Sequence, residues 1–66
     1  MSGRVWVTPT YTQGFIEGRA VVLRRGGDHY PSTWRPDDLP WKIHATCTDL
    51  DDARRIVRLL NDQVEP

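Results

Sequence analysis

The sequence predicts a small α+β domain in which a three-stranded antiparallel sheet is followed by one C-terminal helix packed across one face (β-β-β-α). Three observations carry this prediction: three stretches rich in β-branched and aromatic residues, turn residues between them, and one amphipathic stretch near the C-terminus. A chain of 66 residues allows a single domain, residues 1–66. A domain of this size buries only about 60% of its unfolded surface, so its core must be small.

The first two strands are predicted on either side of a turn at Gln13-Gly14. Residues 4–12 are dominated by β-branched and aromatic types, and Pro9 within this run indicates an edge strand or a bend. Residues 18–25, GRAVVLRR, are apolar on both faces, as expected of a central strand. Glycines and an aspartate at 26–28 indicate the next turn, after which a short extended piece can add a partial strand.

The third strand and the helix have the clearest patterns. Residues 41–47 alternate, so one row is expected to face the core: Trp41, Ile43, Ala45 and Cys47. The helix is expected to begin with Thr48 as its N-cap and Asp51 in a shortened capping box. Its predicted core-facing stripe is Leu50, Ala53, Ile56, Val57, Leu60 and Val64.

Charge and composition argue against several classes of function. Five arginines against two acids give +3 in residues 1–36, and four cations against seven acids give −3 in residues 37–66. The net charge of zero predicts no bulk attraction to nucleic acid or to an anionic membrane. No apolar run approaches the roughly 18 residues of a membrane span, and the single cysteine favours a reducing, cytoplasmic location. Eight arginines to one lysine indicate a GC-rich coding genome, bacterial or phage.

Metal binding and catalysis are not expected from the residue pattern. His44 and Cys47 have H-x-x-C spacing, but residues three apart on a regular strand face opposite sides and cannot share an ion. A thiol in an apolar row is inert, and Asp37-Asp38 after a proline is typical of a turn. We therefore expect no enzymatic activity, no cofactor and no metal site.

Nucleic-acid binding is the alternative function. The element order resembles, in architecture, certain plant DNA-binding domains and the arm-binding domains of phage integrases, which lay their sheet in the major groove. The resemblance implies an open sheet face that reads DNA. The basic residues available to such a face are Arg4, Arg19, Arg24, Arg35 and Lys42.

Residues 30–41, YPSTWRPDDLPW, favour protein binding. A connection of this length without periodicity is usually functional or disordered, and three prolines limit the entropy lost on binding. Trp, Tyr and Arg are the residue types that carry most interface energy. We therefore predict a small non-enzymatic interaction module, an inhibitor or adaptor of phage type, that binds a partner protein through this loop and the open sheet face. The predicted binding residues are Trp6, Tyr30, Trp34, Arg35 and Asp37.

Two questions stay open at this level. Trp34 either anchors the partner or covers an open end of the sheet, and the residues favour neither. Self-association as a closed dimer, through the helix or through a sheet edge, is also expected, because Leu59 lies outside the core-facing stripe and widens the apolar arc of the helix.

Overall fold

The computed structural model describes residues 3–64 and contains five strands and one α-helix. In chain order the elements are β1 (Arg4–Val7), β2 (Thr10–Ile16), β3 (Arg19–Arg25), β4 (Asp28–Pro31), a 3-10 helix (Pro36–Asp38), β5 (Trp41–Thr46) and α1 (Leu50–Gln63). Strands β2, β3 and β5 form an antiparallel sheet in the order β2-β3-β5, and β1 pairs with β4 in a separate two-stranded sheet. The predicted class, three-stranded sheet and C-terminal helix are confirmed.

The first four strands form one long antiparallel ribbon. Its pairing begins with Ile16 opposite Arg19 and ends with Arg4 opposite Pro31, and the register is the same in β2–β3 as in β1–β4. The chain reverses at Glu17-Gly18, where both residues have positive φ, 53° and 78°. Two positive φ values define a type I′ turn, whose twist matches that of the paired strands. The ribbon is therefore a single hairpin with an interruption in its middle.

Pro9 and Gly26 lie at this interruption. Proline has no N–H for the ladder, so the predicted single strand over residues 4–12 is divided into β1 and β2. Gly26 has a φ of 88°, and a Cβ at this position would lie 2.7 Å from the carbonyl oxygen of Thr8. Only glycine therefore fits at this position, where the two sides of the hairpin approach each other. Of the two possibilities predicted for Pro9, an edge strand or a bend, the structure shows an interruption between β1 and β2.

Two sequence-based turn assignments are changed by this pairing. The turn at Gln13-Gly14 is wrong, because both residues pair with β3 inside β2. The turn predicted at 26–28 does not reverse the chain, because β3 and β4 follow one another along the same side of the hairpin. The partial strand suggested after these residues is present as β4, which begins at Asp28. The connection between β4 and β5 is consequently residues 32–40, shorter than the predicted loop of 30–41.

A register shift between β3 and β5 changes which β5 side chains face the helix. Val22 pairs with Ala45, but the next residue of β3, Leu23, pairs with Ile43, which leaves one β5 residue over as a bulge. Ala45 packs against the core, whereas Ile43 and Trp41 lie on the opposite face. The prediction that Trp41 and Ile43 face the core is therefore wrong.

The core lies between the sheet and α1. Ala20, Val22 and Ala53 are buried at its centre. Partly buried residues pack around them: Tyr11, Ala45, Cys47, Ile56, Val57 and Leu60. The helix begins at Leu50 with Asp49 as N-cap, not Thr48, because the Asp49 carboxylate accepts a hydrogen bond from the backbone N–H of Asp52 at 2.9 Å. Four residues of the predicted helix stripe thus pack in the core.

Strands β1 and β4 form an arm that extends beyond the sheet. The Cα radius of gyration is 13.3 Å, against about 11 Å for a typical domain of this length. The principal dimensions are 45 × 27 × 14 Å. The helix packs on β2 and β3, so the arm is held mainly by its own pairing and by the chain that follows it.

Candidate protein-interaction surface

All three tryptophans lie at the surface. Trp6 is 57% exposed, Trp34 is 45% exposed and Trp41 is 39% exposed. They lie on the arm, on the connection 32–40 and at the start of β5, respectively. Because indole side chains are large and stiff, a short chain gains most stability by burying them, and they are enriched at interfaces. The distribution marks these three places as candidate contact surfaces.

The open face is the side of the three-stranded sheet opposite α1. Its members follow from strand alternation, since Ala20 and Val22 of β3 face the helix. The larger side chains of the open face are Ile16, Val21, Leu23, Arg25, Trp41 and Ile43. Val21 is buried, whereas Ile16, Trp41 and Ile43 are exposed. Arg19, which pairs with Ile16, lies on the same face. The face therefore presents an apolar surface with two charged residues, Arg19 and Arg25.

Arg25 and Trp41 pair at one end of the open face. The guanidinium carbon lies 4.3 Å from the centroid of the Trp41 ring, within cation–π range. Arg25 Nε is buried and has no hydrogen-bond partner among residues 3–64. Among the described residues, the indole of Trp41 is thus the group that faces this guanidinium.

Trp34 lies against Tyr30, which is itself 6% exposed. The ring centroids are 5.7 Å apart and the planes are tilted by 32°. The Trp34 backbone N–H donates to the carbonyl of Pro31 at 3.0 Å, which fixes the start of the connection. The Trp34 ring therefore covers a residue of the arm, and almost half of the residue's surface stays exposed. Its role as the anchor for a partner stays a prediction. Tyr30 underlies this surface.

The other two predicted residues of the connection flank its 3-10 helix. The backbone N–H of Arg35 donates to Asp38 Oδ2 at 2.9 Å, so Asp38, which was not predicted as important, closes this turn. Arg35 and Asp37 are exposed beside Trp34. The buried Leu39 follows, and its side chain anchors the end of the connection.

Trp6 belongs to a different surface from Trp34. Val5 pairs with Tyr30, and the next pair is Trp6 with His29, so Trp6 and Tyr30 lie on opposite faces of the arm. The Trp6 and His29 rings meet edge to face at 5.5 Å. Trp6 lines a groove of about 400 Å³ together with Thr8, Pro9, Tyr11, Leu60, Gln63 and Val64. The five predicted binding residues are thus divided between two surfaces.

The three-stranded sheet carries only positive charges. Strand β2 has no charged residue, β3 contributes three arginines and β5 contributes Lys42, for a total of +4 with no acid. Arg24 and Lys42 are paired on the helix side, and of the five basic residues predicted for a DNA-reading face only Arg19 lies on the open face. The charge balance of the two halves of the chain does not reveal this, because it mixes the sheet with acids in turns and in the helix.

Asp28 is the acid on the first residue of β4. The backbone N–H of His29 donates to its Oδ1 at 2.7 Å and lowers the pKa of Asp28. Partial desolvation opposes this effect, and the positive charges of Lys42 and Arg4 add to it. The hydrogen bond and the nearby cations therefore favour the charged form of the Asp28 carboxylate.

Within residues 3–64, no three His, Cys, Asp or Glu side chains are grouped closely enough to hold a metal ion. The helix of this part of the chain is too short and too polar to cross a membrane. Comparison of the chain with protein-family models, with curated proteins and with solved structures found no match.

Proposed function

We propose that this chain is a small non-catalytic module that binds a partner protein through the open face and the connection 32–40. The observation that carries the proposal is the exposure of Trp41 and Ile43 on a sheet side that α1 does not cover. Burial of such apolar surface contributes about 25 cal/mol per Å². In this proposal the partner also contacts Trp34 and Arg35 of the connection, and stoichiometric binding of this kind fits an inhibitor or an adaptor.

Two variants that each replace an exposed aliphatic residue by aspartate test whether the partner binds the open face. Ile43 is 55% exposed on β5 and Leu59 is 56% exposed on the helix, so Ile43→Asp and Leu59→Asp place the same charge on two different surfaces. The purified wild type and variants are immobilised on a support and incubated with a lysate of the host cell. Ile43→Asp should no longer capture the protein that the wild type captures, and Leu59→Asp should still capture it. Circular dichroism must show both variants folded. Capture by Ile43→Asp at the wild-type level contradicts the proposal.

The predicted dimer, through the helix or through a sheet edge, remains a proposal, and Leu59→Asp tests the contact through the helix. The exposed Leu59 side chain would lie in that contact. Sedimentation should then give a dimer for the wild type and a monomer for the variant. A wild-type monomer at high concentration contradicts self-association without affecting the capture experiment.

DNA binding is the second candidate, and the charge of +4 on the sheet is the observation that favours it. The apolar side chains of the open face favour a protein partner, since sheets that enter the major groove present polar and basic side chains to DNA. Titration of generic duplex DNA separates the two. Binding that weakens steeply between about 50 and 200 mM salt would support the DNA reader, because phosphate contacts release counterions. We expect no such binding.

A further inference from the structure

We infer that the free edge of β5 accepts an extended peptide segment with alternating acidic and apolar side chains as a fourth strand of the sheet. This inference rests on the proposed function and names the chemistry of the partner. It depends on three features: the difference in backbone hydrogen bonding between the two sheet edges, the side chains on the two faces of β5, and the charge of the sheet.

The two edges of the sheet differ in whether their backbone groups are occupied. At the β2 edge, the Asn61 side chain accepts from the Tyr11 N–H and donates to the Tyr11 carbonyl, both at 3.2 Å. One helix side chain thus occupies the outward backbone groups of Tyr11, as a neighbouring strand would at this residue. At the other end of the order β2-β3-β5, no strand within residues 3–64 pairs with the outer side of β5. An unpaired strand edge is a template for another extended chain.

The side chains of β5 define what an added strand would meet. Trp41 and Ile43 are exposed on the open face, whereas Lys42 lies between them on the helix side. Directly opposed cross-strand pairs are the main side-chain contacts of a sheet, and opposite charges stabilise them. An added strand therefore fits best with apolar residues on the open face and acidic residues on the side of Lys42.

The charge of the whole sheet selects an acidic segment. The four cations of β3 and β5 have no acidic neighbour within the three strands, and the acid that interacts with Lys42 from outside them is Asp28 of β4. A second copy of this chain paired through β5 would bring two such sheets, each of +4, side by side, and like charges at this separation repel. The charge thus favours an acidic peptide over a second copy at this edge.

The test is an NMR titration of the full chain with a blocked octapeptide of alternating Glu and Val at low salt. We expect chemical-shift changes concentrated on the amides of β5. A Lys/Val octapeptide should not bind, because it meets the sheet with like charge. The Glu/Val peptide N-methylated at two adjacent central residues should not bind either, because both of its edges are then blocked. Equal binding of either control overturns the inference.

A matched pair of variants tests the charge contact. Lys42→Glu should weaken the Glu/Val peptide by about five- to tenfold, since it replaces an opposite-charge pair by a like-charge pair. Arg58→Glu makes the same change of charge at an exposed helix position and should leave the affinity within about twofold. Equal weakening by both variants would show a general effect of net charge and would overturn the edge contact.

Two further outcomes assign the edge to another occupant. The inference is overturned if duplex DNA binds more tightly than the Glu/Val peptide and shifts the β5 amides. It is also overturned if the chain forms a dimer in which the β5 amides are protected from exchange without peptide. If the peptide fails to bind while Ile43→Asp still loses capture of the lysate protein, the edge inference fails and the proposed function stands. If Ile43→Asp also captures normally, both fail.

Discussion

At the scale of single residues, Trp34 combines packing with exposure. Its indole covers Tyr30, and almost half of its surface remains in contact with solvent. The sequence showed that the connection is rich in aromatic and proline residues, but it could not show that Tyr30 belongs to a strand and lies beneath Trp34. That arrangement depends on the pairing of β4 with β1, which joins residues far apart in the chain.

Trp34→Ala should lower both stability and binding. Loss of the aromatic pair with Tyr30 costs about 1 kcal/mol, which lowers the melting temperature of a domain of this size by about 4–8 °C. Capture of the partner by the folded variant should fall by more than this loss explains, because the exposed part of the indole is also removed. Thermal melts and capture on the same preparation test this. An unchanged melting temperature would show that the indole does not support Tyr30.

Glu17→Asn should stabilise the domain. Glu17 has a φ of 53° in a type I′ turn, where a glutamate is strained and asparagine is favoured. The gain should be about 0.5–1 kcal/mol, which raises the melting temperature by a few degrees. Gln13→Asn, inside β2, is the control and should not stabilise, because asparagine is disfavoured in strands. A lower melting temperature for Glu17→Asn would contradict the turn assignment.

At the scale of elements, the helix could be predicted from the sequence and the faces of β5 could not. The 3.6-residue period of α1 is unbroken, so its core-facing stripe is visible in the sequence. The bulge opposite Val22 and Leu23 inserts one residue into β5, although apolar and polar residues alternate without interruption in its sequence. A bulge is decided by how two strands fit together, and the sequence of one strand does not contain that information.

Leu60→Asp and Leu59→Asp should differ sharply in stability. Leu60 packs against the core cluster, so a carboxylate there loses apolar contacts and is poorly solvated, at a cost of about 3 kcal/mol or more. Leu59, at the neighbouring position, is exposed, and Leu59→Asp should leave the melting temperature within a few degrees of the wild-type value. Circular dichroism during heating measures both. Similar melting curves for the two variants would place the helix in a different rotation on the sheet.

At the scale of the whole molecule, the chain is more extended than its length requires. The sequence predicts the sheet and the helix, because their patterns are local, but it does not predict that β1 and β4 continue the hairpin beyond the sheet. The same limit applies to the candidate site: Trp34, Arg35 and Asp37 were found by composition, whereas the exposure of Trp41 and Ile43 follows from the bulge.

The arm should open independently of the sheet. Val22, at the centre of the core, has no exposed surface, whereas Val5 and Trp6 of the arm are exposed and α1 packs mainly on β2 and β3. Regions with few buried contacts open with lower free energies than the whole fold. Native-state hydrogen exchange in increasing urea should therefore show the Val22 amide exchanging by global unfolding, with a strong urea dependence. Paired amides of β1 and β4 should exchange faster and with little urea dependence. If both groups follow the same urea dependence, the arm and the sheet form one cooperative unit, and a partner that binds Trp34 would then stabilise the whole chain rather than the arm alone.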